Sequence, residues 1–299
     1  VGGISSLAST SSVNADSDAS SVSGTADATG GLDATGMSTA DLYSSSDSDV
    51  SGIATIAGGV NAESTKLAAT AKAGEGQSVT GLTSGESDAD VVSFTQAAKG
   101  ETIGETTFSD PFNIDVASDS NITAQGFNNL DASATSTAGN AAAQAGYTGT
   151  AASASVTGIA SDMDISVGGV GNLMAQAQGT ADSSASSVTG TADADSGMTS
   201  MGIANLQMEV KSDSDLSSTS AVIGSADGES TEGNATADVE FDATGIDGID
   251  LNVGGISSLA STSSVNADSD ASSVSGTADA TGGLDATGMS TADLYSSSD

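Results

Sequence analysis

Paired aspartates are the residues of this chain whose type and spacing could support chemistry. Two carboxylates separated by one residue lie on the same face of an extended chain, and Ca²⁺ binds about six to eight oxygen ligands of this kind. The pairs are therefore candidate calcium ligands, although none of them fits the EF-hand spacing. The favoured interpretation is a set of solvated acidic turns that discourage aggregation of strand edges. The predicted ligands are Asp16 and Asp18, Asp47 and Asp49, and Asp213 and Asp215, and a fourth pair of the same spacing is Asp88 and Asp90.

Two Asn-x-Thr sequons are candidate sites of N-glycosylation. Asn121 precedes Ile-Thr and Asn234 precedes Ala-Thr. A sequon of this kind is an acceptor in a secreted chain, and three-residue matches are frequent by chance where threonine is abundant. For most of the serine and threonine hydroxyls, an ordinary strand surface is the favoured interpretation.

The chain lacks most of the side chains that catalyse reactions at neutral pH. It contains no Cys and no His, and its four cationic side chains are the scattered Lys66, Lys72, Lys99 and Lys211. General acid–base and nucleophilic catalysis depend mainly on His, Cys, Lys or a bound metal ion. The composition therefore predicts that the protein is not an enzyme and has no cofactor other than calcium.

A strong negative charge restricts the partners of the protein. The 299 residues carry a formal net charge of −36, which repels nucleic acid and anionic lipid surfaces. Divalent cations and further copies of the same chain are the expected partners. No run of about 18 apolar residues occurs, so we expect no membrane span within this sequence.

Alternation of small apolar and polar residues predicts long β-strands. From Val22 to Leu42 the even positions carry no charge, whereas the odd positions hold mainly Thr and Asp. The same alternation runs from Val188 to Val210 and from Ala235 to Val253, where the strand is expected to continue into Gly254. Successive side chains of a strand point to opposite faces, so one face of each run is expected to be buried. Frequent glycine argues against helices.

Turns of serine and aspartate separate these strands. The segment Tyr43 to Asp49 has this composition, and similar segments recur at hairpin-like intervals of about 20 to 30 residues. The sequence thus predicts an all-β fold in which long alternating strands form layered or sandwiched antiparallel sheets. A β-solenoid, whose coils stack in parallel, is the alternative. The inward residues are mostly Ala, Gly and Ser, which favour a close approach of the sheets.

Two internal repeats organise the chain. Residues Val253–Asp299 are identical to Val1–Asp47, an offset of 252 residues, which predicts tandem units of that length. An offset of 166 aligns Val1–Ser51 with Val167–Ser217 at 23 of 51 positions, so the unit itself contains an older duplication. We accordingly divide the chain into a first β module (1–62), an aromatic-containing β insert (63–166), a second module (167–252) and the start of the next unit (253–299).

The style of the sequence resembles that of secreted repetitive cell-surface proteins. Segments such as SSVSGTADATGG and QGTADSSASSVTG, in a tandem architecture, are most similar to the sheath or fibre proteins of archaeal methanogens. Bacterial giant adhesins and functional amyloids are looser comparisons. The resemblance covers the whole chain but concerns composition, and it assigns no residue. It implies an archaeal, extracellular, β-rich polymer that forms a protective tube or filament.

We therefore expect a structural building block of an extracellular filament or sheath at the cell surface. It would self-assemble by β-strand pairing into a homopolymer. An extended adhesin stalk is the main alternative. A disordered acidic secretion is a third possibility, against which the sustained alternation of faces argues.

Overall fold

The computed structural model describes residues 6–22, 25–30, 33–38, 41–44, 48–64, 68–73, 78–83, 112–148, 151–152, 154–159 and 163–297. Every regular element in these segments is a β-strand, which confirms the predicted all-β class. The chain winds in coils. Each coil passes through sheet A, then sheet B, then sheet C, and the next coil returns to sheet A.

The first three coils divide their sheet B portion into two strands. The first coil contains β1 (Ser6–Ser21), β2 (Ala26–Gly30), β3 (Ala34–Ser38) and β4 (Asp41–Ser44). The second contains β5 (Ser48–Ser64), β6 (Ala69–Ala73), β7 (Ser78–Thr83) and β8 (Phe112–Val116). The third contains β9 (Ser120–Ser136), β10 (Ala141–Ala145), β11 (Tyr147–Thr148), β12 (Ala151–Ala152), β13 (Ala154–Ile159) and β14 (Met163–Val167).

The last three coils are regular, with one strand in each sheet. The fourth coil contains β15 (Gly171–Ser187), β16 (Ala192–Ile203) and β17 (Leu206–Val210). The fifth contains β18 (Ser214–Ser230), β19 (Ala235–Ile246) and β20 (Ile249–Val253). The sixth contains β21 (Ser257–Ser273), β22 (Ala278–Met289) and β23 (Asp293–Ser296).

The strands of each sheet pair in parallel with strands of neighbouring coils. Sheet A has the order β1-β5-β9-β15-β18-β21, and sheet C has the order β4-β8-β14-β17-β20-β23. In sheet B, β16 pairs with β19, which pairs with β22, while β10-β6-β2 and β13-β7-β3 follow β16 on its other edge. The single antiparallel pair among the described strands is the short β11–β12 hairpin.

These parallel ladders are those of a β-solenoid, so the expected antiparallel layering is wrong and the stacked-coil alternative is correct. Where the structure describes them, the turns rich in Ser and Asp are corners that pass the chain from one sheet to the next, as at Ser212 and Asp213 between β17 and β18. A corner and a hairpin have similar compositions because both need side chains that hydrogen-bond to nearby backbone. Composition alone therefore could not distinguish them.

Both sequence offsets correspond to whole numbers of coils. One ladder of sheet A runs from Ser6 through Asp49, Asn121, Asn172 and Asp215 to Ser258. Asn172 stands 166 positions after Ser6, and Ser258 stands 252 positions after it. The older duplication therefore spans three coils, and the longer offset spans five. The four predicted segments contribute strands to the same three sheets, and their division into modules stays a prediction.

Small side chains fill the space between sheets A and B, as the sequence predicts. One buried cluster joins these sheets through alanines such as Ala177 and Ala194, with Phe241 among them. A second cluster joins sheet A to sheet C and holds larger aliphatic side chains such as Leu173 and Met208. Because alanine buries little apolar area, the backbone ladders must supply a large share of the stability.

The predicted buried faces are confirmed within the strands. Ala26 and Ala28 are buried in β2. The predicted inward residues of the run that starts at Ala235 are all buried as well, namely Ala237, Val239, Phe241, Ala243, Ile249, Leu251 and Val253. Leu32 and Ala40, which belong to the first predicted buried face, lie outside the described residues.

The predicted strand limits are wrong at the corners. Val22 is 71% exposed and Val188 is 44% exposed, because each lies in the corner between sheets A and B. The run from Val22 to Leu42 forms three strands, not one. Gly254, where a continuous strand was expected, lies in the corner between β20 and β21. Alternation persists across a corner, so the period of two does not mark where the chain turns.

Candidate functional site

A Ser-x-x-Gly turn forms the corner between sheets A and B in three consecutive coils. Its serines, Ser187, Ser230 and Ser273, end β15, β18 and β21. The Ser230 hydroxyl accepts a hydrogen bond from Gly233 N–H at 2.9 Å and donates one to the Gly190 carbonyl of the preceding coil at 2.8 Å. Ser187 and Ser273 make the equivalent bonds. The turn thus closes its own corner and attaches it to the previous coil.

The sequence predictions did not include this turn. Glycine is required at Gly233 because a Cβ there would overlap the carbonyl oxygen of Gly190. The available signal was the Ser-x-x-Gly spacing itself, repeated every 43 residues from Ser187 to Ser273. Longer coils of 72 and 51 residues precede these three, and they obscure the period in the first half of the chain.

Asp213, a predicted calcium ligand, forms a hydrogen bond that joins two coils. Its Oδ1 accepts a hydrogen bond from the backbone N–H of Ile256 at 2.8 Å, and Asp119 accepts one from Val170 N–H at 2.7 Å. A Cβ on Gly255 would overlap the Asp213 carboxylate. A carboxylate in one corner therefore fixes the position of the Val-Gly-Gly corner in the next coil.

Asp49 and Asp215, two further predicted ligands, stand in one column on the outer face of sheet A with two asparagines between them. Asn121 Nδ2 donates to Asp49 Oδ1 at 2.9 Å, and Asn172 Nδ2 donates to Asn121 Oδ1 at 3.0 Å. The backbone N–H of Asp215 then donates to Asn172 Oδ1 at 3.4 Å. A side-chain amide both donates and accepts, so this column links four coils while it keeps the two carboxylates apart.

Asp16 and Asp18 share the exposed outer face of β1, as predicted for an Asp-x-Asp pair. Asp16 Oδ1 accepts a hydrogen bond from Gly59 N–H in the second coil at 3.2 Å. Asp47 and the pair Asp88 and Asp90 lie outside the described residues. Within the described part of the chain, no three acidic side chains converge as a metal site requires, and calcium binding stays a prediction.

Both sequon asparagines are exposed. Asn121 lies on sheet A in the column described above. Asn234 lies in the corner before β19, where its Oδ1 accepts a hydrogen bond from Thr277 N–H at 3.1 Å. Each therefore takes part in the stacking of coils, and glycosylation stays a prediction for both.

Several of the outer carboxylates accept a hydrogen bond from a hydroxyl group in the next coil. Ser225 Oγ donates to Asp182 Oδ1 at 2.8 Å. Thr236 bonds Asp193 in the same way, and Thr281 bonds Asp238. Neighbouring carboxylates also affect the pKa of some of these groups. Burial, as the larger cause, and the charge of Asp182, as the smaller one, raise the pKa of Asp131. Burial and then the charge of Asp285 likewise raise the pKa of Asp242.

One carboxylate is buried on the outer face of sheet B. Asp195 is 5% exposed, and the β11–β12 hairpin contacts β16, the strand that carries this residue. Gln144 Nε2 donates a hydrogen bond to Asp195 Oδ2 at 3.0 Å. Burial, together with the charges of Asp193 and Asp238, raises the pKa of Asp195 to about 6, although the Gln144 bond and Lys72 act in the opposite direction.

Removal of the Asp195 charge is expected to stabilise the protein at neutral pH. Between its unfolded pKa of 3.8 and the folded value of about 6, the folded state binds the proton more strongly. This contribution to stability is complete below about pH 4 and is lost as the pH rises through about 6. We expect Asp195→Asn to raise the free energy of unfolding at pH 7 by about 2 kcal/mol and to flatten its pH dependence.

Urea denaturation between about pH 4.5 and pH 7 tests this expectation. The control is Asp227→Asn, because Asp227 is exposed on β18 and is not among the charges that act on Asp195. This control should keep the pH dependence of the parent protein. If the free energy of unfolding depended on pH equally in the parent and in Asp195→Asn, the assignment of the raised pKa to Asp195 would be contradicted.

The first and sixth coils have one sequence but different neighbours. Among the described strands, β1 pairs only with β5, and β21 pairs only with β18. Residues 258–273 of β21 repeat residues 6–21 of β1. The same coil sequence therefore forms a parallel ladder along one edge with the second coil and along its other edge with the fifth. The coil can therefore bind another coil through backbone hydrogen bonds along either strand edge.

Comparisons with known proteins add no functional assignment. No family model, no curated protein and no solved structure matches the chain. None of the described residues belongs to a helix long and apolar enough to cross a membrane. A shallow depression of about 410 Å³ on sheet C is lined by residues that include Gln207, Glu209 and Asp250. The ladders and the repeated coil are therefore the features on which a function can be argued.

Proposed function

We propose that this chain is a structural building block of an extracellular filament or sheath at the cell surface. In this function, copies of the chain associate by β-strand pairing. The observation that carries the proposal is that one coil sequence pairs along both of its edges. As the first coil it pairs with β5, and as the sixth coil it pairs with β18. A solenoid whose coil sequence recurs after five coils can be extended by further units of the same kind.

The recurrence also provides a route to assembly between chains. The fifth coil pairs in register with the sixth, for example at Leu216 and Leu259. The first coil of a second chain carries the same sequence, so in place of the sixth coil it would present the same residues to the fifth. Addition of a strand to an exposed sheet edge is an established mode of association, because each added strand satisfies free backbone groups.

The composition agrees with an extracellular location. The chain has four Lys and no Arg, so proteases that cleave after cationic residues find few sites. Its net charge of −36 favours cations over nucleic acid as partners. The resemblance to archaeal sheath proteins implies the same setting. Divalent cations would screen the carboxylates of neighbouring copies.

Electron microscopy and fibre diffraction of the purified full chain test the proposal. We expect ordered polymers with strands perpendicular to the long axis, a spacing of about 4.8 Å between coils and a repeat of about 24 Å for five coils. Lateral contacts between neighbouring solenoids should also be visible. A chain that stays dispersed at high concentration would exclude the building-block function.

An adhesin stalk is the second candidate. The acidic outer faces of sheets B and C, with residues such as Asp238 and Asp250, favour a solenoid that repels its neighbours. A stalk would have the same coil spacing but would remain a single extended particle. Sedimentation velocity over a range of protein concentrations distinguishes the two functions.

A further inference from the structure

The centre of sheet A has an outer face without charge. Sheet A contributes six aligned segments, one from each coil, and none of them contains a charged residue. We call their outward side chains the central face. The segments are residues 8–14, 51–57, 123–129, 174–180, 217–223 and 260–266. Charged residues make up 15% of the chain, so composition alone does not account for six stacked segments without one.

Carboxylates border the central face on both sides along the strand direction. On one side stand Asp49 and Asp215, and on the other stand Asp131, Asp182 and Asp268. All of these lie on outward positions of sheet A. The carboxylates therefore end abruptly at the limits of the central face, at the same register in neighbouring coils.

The outward faces of the other sheets are acidic. Sheet B presents Asp238 and Glu240 to the outside, and sheet C presents Glu209 and Asp250. If two copies approached each other through these faces, the carboxylates of one copy would repel the equivalent carboxylates of the other. The central face is the broad outer surface on which two copies avoid this repulsion, since it carries no charge.

The side chains of the central face suit contact with another protein surface. Ile223 is 54% exposed and Met174 is 42% exposed, and Phe127 points outward on β9. Gln125 Nε2 donates a hydrogen bond to Gln176 Oε1 at 2.8 Å, so part of the face is an ordered amide ladder. Aromatic and Met side chains are enriched at protein interfaces, whereas Asp and Glu are depleted there.

The size of the central face also fits a specific interface. Six strands at about 4.8 Å and seven residues at about 3.3 Å give a footprint of roughly 600 to 700 Å². A standard interface buries about 800 Å² on each partner, so contact across the central face and part of its border would reach this size. Each further five-coil unit would lengthen the same strip.

We propose that the central face binds the central face of a second copy, so that two solenoids pack side by side, sheet A against sheet A. This inference rests on the proposed building-block function and specifies its lateral contact. Two equivalent faces form an isologous contact around a two-fold axis. In that contact the bordering carboxylates of the two copies approach one another, so salt or divalent cations should strengthen the association.

A matched pair of charge substitutions on β15 tests the proposal with the full chain. Gln178→Glu adds one carboxylate at an exposed position of the central face and hardly changes the shape of the side chain. Ser184→Asp adds one carboxylate at an exposed position of the same strand outside the face. In sedimentation velocity, Gln178→Glu should weaken lateral association at least about tenfold, while Ser184→Asp stays within about twofold of the parent.

A cross-linking measurement locates the contact independently. The native chain has no cysteine, so Gln178→Cys introduces a single thiol. A bifunctional thiol reagent of about 10 Å, the distance between packed sheets, should link two copies through this residue. Asp238→Cys on the outer face of sheet B should give no dimer. Circular dichroism of each variant confirms that the fold is retained.

The outcomes separate this inference from the proposed function. Ordered polymers whose lateral association is equally sensitive, or equally insensitive, to Gln178→Glu and Ser184→Asp would overturn the central-face contact and leave the building-block function standing. A protein that remains monomeric at high concentration and high salt would overturn both. Selective loss of lateral contacts in Gln178→Glu, with a cross-link only at residue 178, would support both.

Discussion

Replacing Phe241 with alanine is expected to lower the free energy of unfolding by about 3 to 5 kcal/mol. Phe241 is 1% exposed and is the largest of the fully buried side chains among the residues that the structure describes. It lies in sheet B between Met198 of the fourth coil and Leu284 of the sixth, and its ring reaches Gly224 in sheet A. The surrounding cluster is mostly alanine, so the neighbours cannot expand to fill the cavity.

The matched control for this substitution is Leu284→Ala. Leu284 occupies the same ladder one coil further along, but it is 55% exposed. Its truncation should cost less than about 1 kcal/mol, because little buried surface is lost. Urea denaturation followed by circular dichroism measures both variants, and amide exchange in β19 shows whether the fifth coil opens alone. If both variants lost a similar amount of unfolding free energy, the stabilisation attributed to the buried Phe241 ring would be contradicted.

Gly224→Ala is expected to destabilise the protein by about 2 to 3 kcal/mol, although it adds only one methyl group. A Cβ on Gly224 would overlap the carbonyl oxygen of Ala181 and would lie 2.5 Å from Phe241 Cζ. The neighbouring strand β15 of sheet A and the Phe241 ring of sheet B together leave no room for it. Because the obstructing atoms include backbone, the overlap cannot be relieved by a change of side-chain rotamer alone.

Gly283→Ala provides the corresponding control in the sixth coil. The atoms nearest to a Cβ at Gly283 are 3.9 Å away, which is ordinary van der Waals contact. Alanine should be neutral or stabilising there by about 0.5 kcal/mol, since it reduces the freedom of the unfolded chain. Thermal unfolding of both variants compares the two positions directly. A stable Gly224→Ala protein would show that β15 and the Phe241 ring can shift locally at little cost.

Alternation in the sequence was sufficient to predict the strands and their buried faces. The inward positions around Val239 and Phe241 follow from the period of two, because residues of opposite polarity cannot exchange faces without a change of register. The same reasoning failed at Val22 and Val188, where the chain turns a corner and the side chain no longer points into the sheets. A corner preserves the alternation of polarity while it changes the direction of the chain.

The site residues show a similar division. The shared face of Asp16 and Asp18 follows from their spacing in a strand. The separation of Asp49 from Asp215 by Asn121 and Asn172 depends on which strands are neighbours, and their sequence distances of 72, 51 and 43 residues give no hint of it. The burial of Asp195 likewise depends on the tertiary contacts of β16, a strand that the β11–β12 hairpin of the third coil touches.

The amino-acid sequence determined that the chain forms strands with one small, apolar face and one acidic, hydroxyl-rich face. It also determined that the first segment recurs in diverged form after 166 residues and as an exact copy after 252 residues. These properties are local, or they are direct copies, so they can be read without coordinates. Only the tertiary structure decided that the strands stack in parallel, that both repeats are whole numbers of coils, and that the uncharged segments align into one face. Pairing brings together residues that are distant in the chain, and two-faced strands can pair in parallel or antiparallel with equally well-buried side chains.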